Sequence, residues 1–215
     1  MFALSRKLAL YVEDVISLEA ANSILHRVRP GKKAETIEEK TEIIAYGINY
    51  LLGTVLKLLL IFAISILLGI SRPTIIMVAV FMSFRSVAGG QHMDTYIKCL
   101  VMSVLLFLLF GLAAQYIEWD IVSRNIIFIL TVAFSLYTAI RFVPRTHPNH
   151  NIRMKKQKKL KKISFVYIAV YAVVMLFIKS NLYVVAASFG LFLVCFSIVP
   201  LGYKLFGKIS EGLKW

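Results

Sequence analysis

The chain has 215 residues, of which 25 are Lys or Arg and 11 are Asp or Glu, so its formal net charge is +14. Hydrophobic residues make up 59% of it, and its mean hydropathy is +0.78. A soluble nucleic-acid-binding protein or a disordered basic tail would carry far less apolar side chain, so both classes are excluded. The composition indicates an all-α, polytopic membrane protein whose positive charge lies on one side of the membrane, with no nucleic-acid partner.

Residues 1–42 are predicted to be a cytoplasmic or interfacial amphipathic segment. Apolar residues recur there at three- and four-residue steps from Leu4 to Leu18, with acidic and polar residues between them. This pattern fits an N-terminal amphipathic helix that either lies on the membrane surface or packs as an ordinary helix. Thr36 and Glu39 have the spacing of a capping box, which predicts a helix start just before the first long apolar run.

About six hydrophobic segments follow, and together they form a predicted integral membrane domain over 43–203, with a cytoplasmic tail at 204–215. The first segment is long and carries Lys57, which predicts a tilted or protruding helix. The second is short, so it is either a short span or a re-entrant segment. The predicted segments are 43–70, 74–88, 99–117, 121–142, 163–179 and 182–203.

The basic residues of the connections predict the orientation. An inner basic loop at 141–162 holds nine Lys or Arg residues and no acidic residue. The positive-inside rule places this loop in the cytoplasm, together with both termini and the link 89–98. The chain is thus predicted to be a multi-pass protein of the cell membrane. Its predicted outer links are Ser71-Arg72-Pro73, Glu118-Trp119-Asp120 and Lys179-Ser180-Asn181.

Two roles are open for the basic loop, and they do not exclude each other. Its charges can lie against the headgroups of anionic membrane lipids, where they fix the topology. They can also dock an acidic segment of a peptide substrate. The candidate substrate-binding residues are Arg141, Arg145, Lys155, Lys156, Lys158 and Lys159.

The inner link holds the residues best suited to chemistry. Cys99 supplies a thiol that the cytosol keeps reduced, and His92 is a candidate base for it. Gly89-Gly90 permits a sharp backbone turn, and Gln91 could donate to an oxyanion. On one straight helix, His92 and Cys99 would be separated by a rise of ~10.5 Å, too far for a hydrogen bond, so a catalytic pair requires a break between them.

The ordinary alternatives for these residues are structural. A His at a membrane interface and a Cys packed in a helix account better for the residue types alone than a catalytic pair does. Asp94 is one candidate to orient His92, and Glu38, Glu39 and Glu42 are others. Other residues are predicted to be bystanders: His147 and His150 as solvated loop residues rather than metal ligands, and Cys195 as a small packing residue inside the last segment.

The arrangement Arg85…Gly89-Gly90-Gln91-His92…Cys99 resembles the active-site region of the accessory gene regulator B (AgrB) family. The order of the segments and the basic inner loop resemble that family as well. The resemblance implies an integral membrane cysteine endopeptidase of a Gram-positive bacterium, which processes a short quorum-sensing propeptide into a thiolactone. It also implies that Cys99 is the nucleophile and His92 its base, with Arg85 and Gly90 in support.

The resemblance further implies the partners and the mechanism. The substrate is a short propeptide with its own cysteine, no metal or organic cofactor is needed, and a homodimer is compatible with the family. Cys99 would form an acyl-enzyme thioester that the propeptide cysteine then attacks. The rival functions are a small transporter or channel and a non-catalytic membrane adaptor, but apart from Lys57 few ionisable residues lie within the segments.

Overall fold

The computed structural model describes residues 34–89, 96–144, 154–202 and 204–205. Within these residues the chain forms six long helices joined by short links, which confirms the all-α prediction. Each predicted hydrophobic segment corresponds to one helix. The helices are α1 (Ala34–Leu67), α2 (Ser71–Ala88), α3 (Tyr96–Tyr116), α4 (Ile121–Arg141), α5 (Met154–Phe177) and α6 (Asn181–Ile198). The predicted amphipathic helix before residue 31 lies outside the described residues.

Two helices begin earlier than their apolar residues indicate. α1 starts at Ala34, so Thr36 lies inside the helix rather than before it. α5 starts at Met154, so the prediction of a loop over all of 141–162 is wrong for its second half. Residues 154–162 contain no Gly or Pro and consist mainly of Lys, Gln and Leu, which favour helix. An apolar segment marks only the part of a helix inside the membrane, whereas the helix continues beyond it.

The first predicted outer link is also shifted. The chain turns at Leu68–Ile70, where Gly69 has φ 70°, and Ser71, Arg72 and Pro73 form the first turn of α2. Proline fits there because the amide groups of a first turn have no partner within the helix. The proline therefore marks a helix start and not a loop.

Within the described part of the chain, four helices are long and apolar enough to cross a membrane: residues 97–116, 121–141, 157–177 and 181–198. The apolar part of α1, Leu51–Leu67, is shorter. The chain divides into two compact units, Met1–Leu59 and Leu60–Trp215. The described part of the first is a single stretch of helix, and the second contains the remaining helices. These features are those of a polytopic membrane protein.

The second unit is built around α6. In α6, 67% of the residues of the apolar stretch are buried, against 17–22% in the other three spanning helices. Of the other helices, α2 makes the most extensive contact with α6, and α4 makes the second most extensive contact with α6. A Cβ atom on Gly190 would lie 2.5 Å from the carbonyl oxygen of Met77, so glycine is what allows α2 and α6 to approach so closely. The most buried helix is thus the last of the six.

Hydrogen bonds join the short links at one end of this unit. The Tyr116 hydroxyl donates to the Leu68 carbonyl at 3.0 Å, and Asn181 Nδ2 donates to the Trp119 carbonyl at 2.7 Å. We call this the outer end, after the predicted orientation, and the opposite end the inner end. At the inner end, α2 ends at Ala88, α3 begins at Tyr96, α4 ends at Arg141 and α6 ends at Ile198. Which end faces the cytoplasm stays a prediction.

Candidate active site

The inner end of α2 is anchored in the core and then turns sharply. Phe84 and Ala88 are fully buried against α4, α5 and α6. The next residue, Gly89, has φ 78° and ψ −155°, and its N–H donates to the Arg85 carbonyl at 2.9 Å. Side chains strongly disfavour this conformation, so the position requires glycine. The turn predicted at Gly89-Gly90 is therefore present at Gly89.

Arg85 lies one turn before this bend, on the side of α2 that faces α3. Its guanidinium group lies over the Phe81 ring, 5.5 Å from the ring centroid. Phe81 in turn packs edge-on against Phe107 of α3, with 5.2 Å between the centroids. These contacts keep the charge of Arg85 at the inner end of the α2–α3 pair.

Cys99 lies in the first turn of α3 and is half-buried. The Ser103 hydroxyl donates to the Cys99 carbonyl at 2.7 Å. Side chains in a helix tilt toward its N-terminus, where amide groups without helical partners carry partial positive charge. The side chain of Cys99 is thus directed toward the start of α3.

The packing of α2 against α3 places Gly89 and Cys99 at the same level. The helices are antiparallel, since Gly111 of α3 lies next to Thr74 of α2 and Phe107 packs on Phe81. Gly89 lies eight residues from Phe81, and Cys99 lies eight residues from Phe107. Each step runs ~12 Å toward the inner end of its helix, so the two residues reach the same level. α2 ends at Ala88 and α3 begins at Tyr96; the predicted break between His92 and Cys99 falls mainly on 90–95, which lie outside the described residues.

Several predicted site residues lie outside the described part of the chain. The contact between His92 and Cys99 therefore stays a prediction, as does the absence of a metal or cofactor. Among the residues that the structure describes, no three His, Cys, Asp or Glu side chains are grouped as metal ligands. Outside the described residues lie Gly90, Gln91, His92, Asp94, Arg145, His147 and His150, and the side chains of Lys155 and Lys156 are outside as well.

Cys195, the second thiol, lies in a different environment. It is fully buried in α6, in the core that also contains Phe84 and Ala139. Thr138 of α4 is fully buried as well, and its hydroxyl donates to the Phe134 carbonyl at 2.8 Å. This burial supports the prediction that Cys195 is a packing residue.

The basic residues at the inner end have two kinds of position. Arg141 ends α4 and is exposed, and Lys158 and Lys159 are exposed on the first turns of α5. Lys161, by contrast, donates from Nζ to the Ile140 carbonyl at 2.7 Å. It thereby satisfies a carbonyl in the last turn of α4, where a cation is favourable. The sequence shows Lys161 only as one of several lysines, and its distinct role depends on how α5 packs on α4.

Comparisons with known proteins show the family of the chain. A model of the family described as Accessory gene regulator B matches residues 21–198. An AgrB-like protein of Clostridium acetobutylicum is 28% identical over 165 residues, which cover 75% of this chain and 76% of that protein. AgrB-like proteins of Listeria welshimeri and Listeria innocua are each 26% identical over 163 residues, covering 75% of this chain and 78% of theirs. No solved structure matches the chain. Because the family model matches most of its length, the chain belongs to the accessory gene regulator B family.

Proposed function

We propose that the chain is an integral membrane cysteine endopeptidase that cleaves the C-terminal part of a short autoinducing-peptide precursor and promotes thiolactone formation. Family membership associates it with the processing of quorum-sensing peptides. The observation that carries the finer proposal is the position of Cys99, half-buried in the first turn of α3 and level with the Gly89 turn. The site and both termini face the cytoplasm, where the thiol stays reduced and meets newly made peptide.

In the first step, Cys99 Sγ attacks the carbonyl carbon of the scissile peptide bond. His92 accepts the thiol proton and later donates a proton to the leaving amine. The C–N bond breaks, the C-terminal tail leaves as a free amine, and the remaining peptide is held on Cys99 as a thioester. Gln91 and amide groups near the start of α3 are candidate donors to the oxyanion, and Arg85 adds positive charge on the same side.

In the second step, a cysteine of the bound peptide attacks the thioester. One thioester is exchanged for another, so the step is nearly neutral in bond energy and returns the Cys99 thiol. Water competes for the same carbonyl, and a site at the membrane boundary limits its access. Cyclic product therefore exceeds linear product.

The test uses the full chain in lipid bilayers with the short propeptide encoded beside its gene, and mass spectrometry of the products. Wild type is expected to release the C-terminal tail, whereas Cys99→Ala and His92→Ala release none. Cys195→Ala is the matched control, because it removes the other thiol, and it is expected to cleave normally. Cleavage by Cys99→Ala would refute the proposal, and loss of cleavage only in a folded Cys195→Ala would assign the reaction to the other thiol.

The ratio of cyclic to linear product in the same assay tests the second step. A propeptide whose cysteine is replaced by serine should accumulate as an acyl-enzyme or as linear product. If linear product predominates with the native propeptide as well, cyclisation at this site is wrong although cleavage is right.

A further inference from the structure

A fissure lined by aromatic rings runs between α3 and α4. Both helices pack on α6, but they do not pack extensively on each other, although only residues 117–120 connect them. The space between them has α6 as its floor. We call this space the aromatic fissure and define it by five half-buried residues: Phe110 of α3, Phe134 of α4, and Phe189, Phe192 and Phe196 of α6.

The rings form a continuous surface across and along the fissure. Phe192 lies between the two walls, 5.6 Å from Phe134 and 6.4 Å from Phe110, measured between centroids. It stacks on Phe196 toward the inner end at 5.8 Å. Phe110 also packs on Phe189 at 4.9 Å. Such a surface offers large apolar area with little side-chain entropy to lose on binding.

Helical periodicity directs one predicted functional residue from each wall toward this fissure. Cys99 precedes Phe110 by eleven residues, close to three turns, so both lie on the same face of α3. Arg141 follows Phe134 by seven residues, close to two turns, so both lie on the same face of α4. The step from Phe110 back to Cys99 is ~16 Å, and the step from Phe134 on to Arg141 is ~10 Å. Because α3 and α4 run in opposite directions, both steps lead toward the inner end. Cys99 and Arg141 thus flank the inner mouth of the fissure.

We propose that the aromatic fissure binds an apolar segment of the peptide substrate and that Arg141 binds a carboxylate of the same peptide at the mouth. This proposal rests on the proposed function and adds where the substrate lies. Two observations favour a peptide as the occupant. The fissure is continuous with the face of α3 that carries Cys99, so a chain lying in it passes the nucleophile. Arg141 is exposed at its mouth and complements an acidic group.

Photo-crosslinking tests where the substrate lies. p-Benzoylphenylalanine is placed at Phe134 in the full chain carrying Cys99→Ala, reconstituted in bilayers with the propeptide. The matched control places it at Phe177, which is 81% exposed on α5 and lies outside the fissure. Position 134 is expected to crosslink the propeptide at least ~5-fold more than position 177. Crosslinks from position 134 to lipid alone, or equal peptide crosslinking from both positions, would overturn the proposal.

Kinetics test the two contacts separately. Phe192→Ala is expected to raise KM for the propeptide by about tenfold with a smaller change in kcat, and Phe192→Leu, which keeps the bulk, to recover most of the loss. Arg141 is exposed, and Arg141→Glu should raise KM by a similar factor. A propeptide in which the residue that supplies the carboxylate is changed to Lys should bring the KM of Arg141→Glu back down. An unchanged KM in both Phe192→Ala and Arg141→Glu would refute the fissure as the binding site.

A small thiol reagent separates this proposal from the proposed function. It reaches Cys99 without a peptide, so its reaction with Cys99 should be the same in wild type and Phe192→Ala. If the crosslinker at position 134 captures the propeptide but wild type never cleaves it, the proposed function fails while the binding site stands. If wild type cleaves the propeptide but position 134 captures none of it, the proposed function stands while the fissure is not the binding site.

Discussion

The two cysteines of this chain lie in opposite environments. Cys99 is half-buried in the first turn of α3, at the inner end of the bundle. Cys195 is fully buried in α6, against residues of α2, α4 and α5. Both are found in strongly apolar stretches, and their residue type is identical. What separates a candidate nucleophile from a packing residue is the distance of the thiol from the end of its helix and from the centre of the core.

The difference in thiol reactivity should be the largest measurable contrast. In protein reconstituted in bilayers, a water-soluble maleimide is expected to react with Cys99 at least ~100-fold faster than with Cys195, since only exposed thiolate reacts. Cys195→Ala leaves Cys99 as the single thiol, and Cys99→Ala leaves Cys195. Mass spectrometry measures the labelling of each variant. Comparable rates for both thiols would show that the burial of Cys195 does not persist in the membrane.

Gly190→Ala should disturb the environment of Cys195 directly. The added Cβ would lie 2.5 Å from the Met77 main-chain oxygen, so α2 and α6 must move apart, at a cost of about 1–3 kcal/mol in the free energy of unfolding. Thermal denaturation in detergent measures the loss of stability, and the rate of maleimide labelling of Cys195 should rise.

Gly111→Ala is the matched control for Gly190→Ala. Its Cβ would meet Thr74 Oγ1 at 2.9 Å and Ile70 Cδ1 at 3.1 Å. These are side-chain atoms rather than main-chain atoms, and Thr74 Oγ1 can move by giving up its hydrogen bond to the Ile70 carbonyl, so the loss of stability should be smaller than in Gly190→Ala. An equal loss in both variants would mean that the close α2–α6 approach is not what holds the core around Cys195.

Gly89→Ala should affect the surroundings of Cys99 and leave Cys195 unchanged. Alanine at φ 78° and ψ −155° is strained by about 1–3 kcal/mol, so the turn at the end of α2 should shift and propeptide cleavage should fall. Gly69→Ala is the control, because Gly69 also has positive φ, at 70°, but lies at the outer end. If both variants lose the same activity, the Gly89 turn has no particular connection with the site.

The smallest expected effect is at Asp120, far from both thiols. Hydrogen bonds from the Ser123 hydroxyl and N–H lower the pKa of Asp120 below its ordinary value of 3.8. A lowered pKa means that the carboxylate stabilises the fold above about pH 3.8 and that this contribution is lost as the pH falls through the folded-state pKa. Asp120→Asn keeps a capping side chain at every pH.

Thermal denaturation between pH 7 and pH 3 tests this cap. Asp120→Asn should become more stable relative to wild type as the pH falls, without any change in the labelling of Cys99 or Cys195. A stability difference that is independent of pH would show that the ionised carboxylate of Asp120 contributes nothing beyond a neutral cap.

The sequence predicted the helices well because membrane helices are marked by long apolar runs. The six predicted segments became α1 to α6, and the errors lie at the ends, at Ala34, Ser71 and Met154. Each error has the same origin: polar residues that continue or begin a helix carry no apolar signal. The prediction that Cys99 is the nucleophile depended on its neighbours in the sequence, and it stays a prediction; the structure adds that Cys99 lies in the first turn of α3.

By itself the sequence determined the class of protein, the order of the helices and the residues able to perform thiol chemistry, because these depend on local composition and spacing. Only the tertiary structure decided that α6 is the central helix, that Lys161 binds the end of α4, and that Phe192 packs between Phe110 and Phe134. Those features depend on contacts between residues far apart in the chain. Such contacts are set by close approaches such as Gly190 with Met77, which no local pattern reveals.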